Sequence, residues 1–174
     1  MPFATGRRMH ALALLLLASM VALPQQASNR YTVEIVVFRN GGQTGALAET
    51  AAGAVGGDDV EPVAIATRRL GGAASRLRAA AGYRVLAHAA WTQAPTAFNS
   101  RRGVSATRLG MAGAGISGKV ILERGQYLHL GVDLTIDDGG RRYRITEVRR
   151  VKPDETHYFD HPAVGVIALV TAGS

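Results

Sequence analysis

The clearest pattern along the chain is the alternation of hydrophobic and polar residues from Gln126 to Asp137. Alternation with a period of two predicts a strand that has one buried and one exposed face. The turn residues Asp138-Gly139-Gly140 follow, and a second strand is predicted from Arg141 to Lys152. Because Asp-Gly and Gly-Gly are strong signals for a two-residue turn, we predict a β-hairpin here.

The two faces of this hairpin also predict its register. A two-residue turn sets hydrophobic side chains opposite each other on one face and acidic side chains beside basic ones on the other. The hydrophobic partners are Leu134 and Ile136 with Tyr143 and Ile145, and the charged residues are Asp133, Asp137, Arg142 and Arg144. A shift of one residue would destroy both matches, so this is the register that we expect.

Four further strands and one helix are predicted from shorter patterns. The strands are Tyr31–Arg39, Tyr83–Trp91, Val120–Glu123 and Val164–Val170, and the helix is Leu70–Ala81, which Gly82 ends. In the second of these strands the odd-numbered residues, Tyr83 to Trp91, are expected to share one face. The order of elements predicts an α+β fold, a mostly antiparallel sheet of about six strands with one short helix after the first strand.

Three segments lack such a pattern and are predicted to be irregular. Residues 40–60 are mostly small and polar, and we expect a flexible insertion because they bury too little apolar area to offset chain ordering. Residues 93–118 are predicted to be a loop, and Pro153–Pro162 a polar connection. Gly113–Lys119 resembles a phosphate-binding loop, but Val120 replaces the required hydroxyl and a strand follows, so no nucleotide site is expected.

Residues 1–27 have the features of a secretory signal peptide. Arg7 and Arg8 form a charged start, and Ala11–Ala22 is an apolar run that is short for a membrane span. Cleavage is expected after Ala27 or at the end of the apolar run. An uncleaved signal would instead leave the protein anchored in the membrane.

The mature chain, residues 28–174, is predicted to be a single periplasmic domain. The full sequence of 174 residues has a net charge of +7, and removal of Arg7 and Arg8 reduces 20 basic residues to 18 against 13 acidic ones, a net charge of +5. Export argues against nucleic acid as a partner. The absence of cysteine excludes disulfide bonds, thiolate catalysis, thiolate metal sites and a lipoprotein anchor.

The segment His157–His161 is a candidate for chemistry because it gathers two histidines and an aspartate. Such a set could hold a metal with an open catalytic position, so one alternative is a metal-dependent hydrolase using His157, Asp160 and His161. The flanking prolines predict a loop, in which these groups hydrogen-bond the backbone, and this is the preferred interpretation. We expect no catalytic residues, no metal and no cofactor.

Trp91, Arg149 and Arg150 are further candidates. Trp91, the only tryptophan, could stack on a sugar ring or fill the core. Adjacent strand residues point to opposite faces, so at most one of Arg149 and Arg150 faces a given site. Its guanidinium group could bind a carboxylate there, or it could simply be solvated.

Four places in the mature chain together resemble the CsiV family of periplasmic peptidoglycan-binding proteins. They are Tyr31–Arg39 with its VEIVVF run, Gly82–Leu86 with His88, Trp91 and Gln93, Gly125–His129, and Glu147–Arg150 continuing into Glu155–Pro162 and Gly165. The resemblance implies a non-enzymatic exported factor that binds peptidoglycan. It also implies support of wall synthesis through the lipoprotein activator of a bifunctional (class A) penicillin-binding protein.

The net positive charge is compatible with this role, because peptidoglycan is anionic through its peptide carboxylates. We expect the contact surface to include Trp91, Arg149, Arg150, His157, Tyr158 and His161, with His129 as an outside candidate. The second interpretation is a protein–protein adaptor whose edge strands or histidine-rich segment engage an envelope partner without touching glycan. The metal-dependent hydrolase is the third.

Overall fold

The alternating segments of the sequence form the long strands, and shorter strands lie between them. The computed structural model describes residues 30–41 and 60–173, so the predicted signal segment and most of the predicted insertion lie outside the described residues. In chain order the elements are β1 (Tyr31–Asn40), β2 (Val63–Ala64), α1 (Gly71–Ala79), β3 (Tyr83–Gln93), β4 (Thr96–Ala97), β5 (Val104–Ser105), β6 (Ile116–Arg124), β7 (Leu128–Asp138), β8 (Arg141–Val151), β9 (Thr156–Asp160) and β10 (Val164–Ala172).

In the described part of the chain these strands form two sheets of five strands each. The first has the order β2-β3-β1-β10-β9, and the second has β4-β6-β7-β8 with β5 also paired to β6. The long strands are antiparallel to their neighbours, whereas β4 and β6 are parallel. The predicted α+β class and antiparallel character are confirmed, but the prediction of one sheet of about six strands is wrong.

The main core lies between the two sheets, which face each other. From the first sheet it takes Val33, Ile35, Val37, Trp91, Val166 and Val170, and from the second Val120, Leu122, Leu130, Val132, Leu134, Ile136, Tyr143 and Ile145. Each fully buried aliphatic side chain of this size contributes about 2 kcal/mol. This shared burial is what joins the two sheets into one sandwich.

A smaller core fixes α1 to the outer face of the first sheet. Leu70 and Ala74 are buried against Val36 and Leu169 of β1 and β10. The strand β1 is therefore covered on both faces, and such strands are hydrophobic throughout instead of alternating. This burial on both faces explains why the VEIVVF run of β1 is hydrophobic at every position except Glu34, without alternation.

The hairpin formed by β7 and β8 has the predicted register. Leu134 pairs with Ile145 and Ile136 with Tyr143 on the buried face, and Asp137 pairs with Arg142 on the exposed one. The turn residues Gly139 and Gly140 have φ values of +61° and +79°. Both are in the left-handed region that a two-residue hairpin turn requires, and glycine adopts it without strain.

The strand β3 contains a bulge that its alternation did not predict. Val37 pairs with Ala87 and Phe38 pairs with Val85, so Leu86 is an extra residue on β3. Leu86 packs against the main core, while Val85 packs against the smaller core under α1. The expectation that the odd-numbered residues from 83 to 91 share one face is therefore wrong beyond the bulge.

Two segments that were predicted to be irregular contain strands. Residues 93–118 hold β4, β5, a 3-10 turn at Ala112–Ala114 and the beginning of β6, and the predicted connection Pro153–Pro162 contains β9. Two-residue strands are too short to give a periodic pattern. The helix α1 ends at Ala79, earlier than predicted, and Gly82, with φ +85°, lies in the turn that follows it.

Candidate functional site

The two ends of the sandwich differ in their charged groups. At the hairpin end, Arg39 and Arg84 of the first sheet both form ion pairs with Asp138 of the β7–β8 hairpin. The opposite end, which we call the basic end, is where β1 begins and β3, β6, β8 and β10 end. There the guanidinium group of Arg124 lies 5.5 Å from the ring centre of Tyr31, so the two sheets meet at this end too.

A polar cleft, which we call the threonine cleft, opens at the basic end on the outer face of the first sheet. It has a volume of about 320 Å³. Its lining comprises Arg30, Thr32, Glu34, Ile65, Thr67, Arg69, Thr92, Thr171, Ala172 and Gly173. Two guanidinium groups and four hydroxyl groups therefore converge on one small space.

The floor of the threonine cleft is a buried carboxylate. Glu34 is only 2% exposed, and it accepts hydrogen bonds from the backbone N–H groups of Arg69 and Leu70 at 2.7 and 2.9 Å. Its Oε1 atom also lies 2.6 Å from Nε2 of His88. Leu70, the N-cap of α1, provides no side-chain cap, and Glu34 instead anchors the chain at this helix start by accepting from the backbone N–H of Leu70 and of the residue before it.

The rim of the threonine cleft is held by arginine and threonine contacts. Nη2 of Arg30 donates to the carbonyl oxygen of Thr92 at 3.3 Å, and the hydroxyl groups of Thr32 and Thr92 lie 3.3 Å apart. Arg69 donates to Thr171 at 3.1 Å and forms an ion pair with Asp154. Arg30 lines the cleft and has no carboxylate partner within the described residues.

Exposed aromatic and basic side chains form a second feature of the basic end, on the outer face of the second sheet. We call Phe98, Tyr127, His129 and Arg150 the aromatic strip. The ring centres of Phe98 and His129 are 4.7 Å apart, and the guanidinium carbon of Arg150 lies 3.4 Å from the ring centre of Tyr127. His129 and Arg150 are direct partners on β7 and β8. Phe98 and Tyr127 are nearly half exposed.

A buried carboxylate also holds the loop that carries Phe98. Glu123, 4% exposed, accepts hydrogen bonds from the backbone N–H groups of Asn99 at 3.1 Å and Arg101 at 2.6 Å, and from the hydroxyl group of Ser100 at 3.3 Å. Asn99 and Arg101 have φ values of +64° and +57°, which are costly for residues with a side chain. The contacts of Glu123 therefore fix a strained loop in one conformation.

A second cleft, of about 520 Å³, lies next to the threonine cleft at the basic end. It shares Arg30 with the threonine cleft, and Thr96, Ser100 and Arg102 bring in the loop that presents Phe98. The remaining lining residues are Val60, Glu61, Ala94, Pro95 and Ala97. The second cleft therefore extends from Arg30 to the segment that carries Phe98, and no residue of the aromatic strip lines it.

The structure does not bring the seven residues predicted from the sequence together. Trp91 is 1% exposed in the main core, where its Nε1 donates to Oε1 of Gln93 at 2.7 Å. The core interpretation of Trp91 therefore holds, since no face of the indole ring is open for a sugar. Arg150 and His129 belong to the aromatic strip, whereas Arg149 points to the opposite face and lies 4.7 Å from the ring centre of Phe159.

The three candidates of the histidine-rich segment are also separated. Tyr158 lies on the outer face of the first sheet, stacked on Phe38 at 6.1 Å, and its hydroxyl group donates to Asp160 at 2.9 Å. Burial and this hydrogen bond to a carboxylate raise the pKa of Tyr158 to about 12. His161 accepts a hydrogen bond from the backbone N–H of Ala163 through Nδ1 at 3.2 Å.

The strand geometry of β9 also bears on the metal alternative. His157 shares a face with Phe159, whereas Asp160 lies with Tyr158 on the opposite face. In residues 30–41 and 60–173 no group of three or more histidine or acidic side chains is arranged to hold a metal ion. The predicted set of His157, Asp160 and His161 is therefore not assembled, because the segment is a strand and not a loop or helix.

Sequence reasoning missed the residues of the threonine cleft. They come from the beginning of β1, the segment between β2 and α1, the end of β3 and the end of β10. One signal was available: Glu34 lies within the otherwise hydrophobic VEIVVF run. A carboxylate in a buried strand requires several hydrogen-bond donors, so a polar site could have been predicted next to it.

Comparison with known proteins gives one match. A family model described as "Peptidoglycan-binding protein, CsiV" matches residues 58–172, which include every element from β2 to the end of β10. Neither curated proteins nor solved structures give a significant match. No helix in the described ranges is long and apolar enough to cross a membrane.

Proposed function

The chain belongs to the CsiV family of peptidoglycan-binding proteins, and we propose that it is an exported, non-enzymatic accessory protein that holds the cell wall at its basic end. The single observation that supports wall binding at this end of the molecule is the aromatic strip. It lies at an end where Arg30, Arg102 and Arg150 have no carboxylate partner within the described residues.

The chemistry of the aromatic strip suits a glycan. The faces of sugar rings carry C–H groups that pack against aromatic rings, while their hydroxyl and acetamido groups accept hydrogen bonds from arginine and histidine. Phe98 is held in place by the Glu123 loop, and Tyr127 is covered on one side by Arg150. A sugar ring that stacks on Phe98 would therefore meet Arg150 as a donor at its edge, and it would also meet His129, whose Nδ1 donates to the carbonyl oxygen of Tyr127 and whose Nε2 can accept from a sugar hydroxyl.

The distribution of charge supports the same surface. The unneutralised arginines of the basic end attract the anionic wall, and this attraction weakens as salt screens it. Several acidic groups that could serve in glycan cleavage are already engaged within the fold: Asp133 accepts hydrogen bonds from Arg144 and Thr146, and Glu123 accepts them from loop backbone. These contacts favour binding over catalysis.

We further propose that support of wall synthesis, through the lipoprotein activator of a bifunctional penicillin-binding protein, uses a different face. Tyr83 and Tyr158 are more than 40% exposed and flank the buried Phe38 on the outer face of the first sheet. Exposed tyrosines are frequent at protein–protein interfaces. This pair is also the surface that a pure adaptor would use, so the adaptor interpretation differs only in lacking wall binding.

Co-sedimentation of the purified mature protein with sacculi tests the proposal. At low salt the wild type should pellet, and Phe98→Ala together with Arg150→Ala should weaken binding by about tenfold because stacking and charge contacts are lost. The matched controls are Val63→Ala, another exposed hydrophobic residue, and Arg78→Ala, an exposed arginine on α1. Both should bind as the wild type does.

Two results would contradict the proposal in different ways. If the wild type stays in the supernatant at low salt, the wall-binding role is wrong. If it pellets but the strip variants bind as well as their controls, the wall is held elsewhere. Cross-linking of Tyr158 in cells to an envelope protein, in the absence of sacculus binding, would select the adaptor.

A further inference from the structure

The threonine cleft is a built polar site that the aromatic strip does not use. Its hydroxyl groups come from Thr32, Thr67, Thr92 and Thr171, and its floor is the buried Glu34. The floor carboxylate already accepts hydrogen bonds from two backbone N–H groups and lies beside His88. The cleft is therefore rigid at its floor and open at its rim, as a small-ligand site is.

Arg30 is the group at the rim that is available to a ligand. A guanidinium group has five N–H donors, and Arg30 uses one of them, toward the carbonyl oxygen of Thr92. Arg69 is engaged by Asp154 and Thr171, so it shapes the rim. The negative charge of Glu34 below keeps an anion away from the floor, so a carboxylate fits best at the rim, against Arg30.

From these contacts we propose that the threonine cleft binds the carboxylate-bearing stem peptide of peptidoglycan. Arg30 binds a peptide carboxylate with two parallel hydrogen bonds, and the threonine hydroxyls donate to and accept from the peptide groups behind it. This assignment rests on the proposed wall-binding function and adds a second subsite to it. The second cleft shares Arg30 and reaches Ala97 and Ser100, which lie on either side of Phe98 in the chain, so sugar and stem peptide would occupy the two faces of the same end.

The probe is the free stem tetrapeptide released from sacculi by an amidase, added to the mature protein and followed by NMR. Amide shifts are expected around residues 30–32, 92 and 171–173. The methyl-esterified peptide should bind at least about tenfold more weakly, because charge-assisted hydrogen bonds are lost. An all-L tetrapeptide with the same number of carboxylates should also bind more weakly if the site is built for wall peptide.

Arg30→Ala should weaken binding of the tetrapeptide by about tenfold, and Arg30→Lys should recover only part of it because lysine cannot form the paired hydrogen bonds. Arg78→Ala is the control with the same change of charge. Because the ester and all-L comparisons use the wild type, the test does not depend on the folding of any variant.

Three results would overturn the proposal. They are equal binding of the tetrapeptide and its ester, equal binding of the all-L peptide, and shifts confined to the aromatic strip. Failure of the wider function looks different, because the protein would then not sediment with sacculi at all. Sedimentation without any response to the free tetrapeptide would leave wall binding in place and remove the threonine cleft from it.

Discussion

The two ends of the sandwich use acidic residues in opposite ways. At the hairpin end the single carboxylate of Asp138 binds the side chains of both Arg39 and Arg84. At the basic end Glu34 and Glu123 are buried and bind backbone N–H groups instead. A carboxylate that holds backbone N–H groups does not neutralise an arginine side chain, and Arg30, Arg102 and Arg150 at the basic end have no carboxylate partner within the described residues. Our proposal of wall binding at the basic end rests on this difference.

The largest effect is expected from Glu34→Ala at the basic end. The change leaves the N–H groups of Arg69 and Leu70 and the ring of His88 without their partner in a site that is almost fully buried. The free energy of unfolding should fall by about 3 kcal/mol. Urea unfolding followed by circular dichroism measures it, and a loss below about 1 kcal/mol would show that Glu34 does not anchor α1.

Glu123→Gln should give the next largest effect, and it should act mainly on binding. Glutamine keeps only one of the two carboxylate oxygens as an acceptor, so one of the backbone N–H groups of Asn99 and Arg101 loses its partner and Phe98 is held less firmly. We expect a loss of about 2 kcal/mol in stability and a fall in sacculus affinity as large as that of Phe98→Ala. Wild-type affinity in a folded variant would show that the loop need not be fixed.

Asp138→Asn tests the hairpin end and should change stability without changing wall binding. Hydrogen bonding by Arg84, and also by Arg39, lowers the pKa of Asp138 below its ordinary value of 3.8. The stabilisation is therefore complete above the ordinary pKa and is lost as the pH falls through the lower, folded-state pKa.

At pH 7 the free energy of unfolding of Asp138→Asn should be about 1 kcal/mol lower than that of the wild type. This difference in free energy should become smaller below about pH 4. Urea unfolding from pH 7 to pH 3 measures both quantities. A difference that stays constant over this range, or reduced pelleting with sacculi, would contradict the division between the two ends.

The smallest effect is expected from Tyr158→Phe, an aromatic residue that lies away from the basic end. The change removes the hydrogen bond to Asp160 but keeps the stack on Phe38, so stability should fall by about 0.5 kcal/mol and sacculus binding should not change. With its pKa near 12, the phenol stays protonated at neutral pH. An alkaline absorbance titration of the variant should therefore lack the ionisation of the phenol with the pKa of about 12.

The parts of the fold that could be predicted are those in which one face is buried and the other exposed. The β7–β8 hairpin meets this condition along its whole length, and its register was predicted correctly from Leu134 to Ile145. The condition fails for β1, which is buried on both faces, and for β2, β4 and β5, which have two residues each. The alternation within one strand does not show which of two sheets the strand belongs to. In β3, the bulge at Leu86 also shifts the alternation, so that residues before and after it follow different parity.

The candidate site was predictable only in part, for a related reason. Alternation correctly predicted that Arg149 and Arg150 lie on opposite faces of β8. Arg150 and its partner His129 belong to the aromatic strip. The threonine cleft could not be assembled, because Arg30, Thr92 and Thr171 are distant in sequence and become neighbours only through the pairing of β1 with β3 and β10. His157 and His161 are close in sequence, yet β9 is extended, so these two side chains are spread along the chain and are not gathered as they would be on one turn of a helix.

The loop held by Glu123 has a consequence for the thermodynamics of recognition. A flexible loop must be ordered when a ligand arrives, and each immobilised side chain costs about 0.5–1.5 kcal/mol. Here that ordering is already complete in the folded protein, since the backbone N–H groups of Asn99 and Arg101 are held by Glu123. If the aromatic strip binds sugar as we propose, this part of the entropic cost of recognition is met during folding and not during binding.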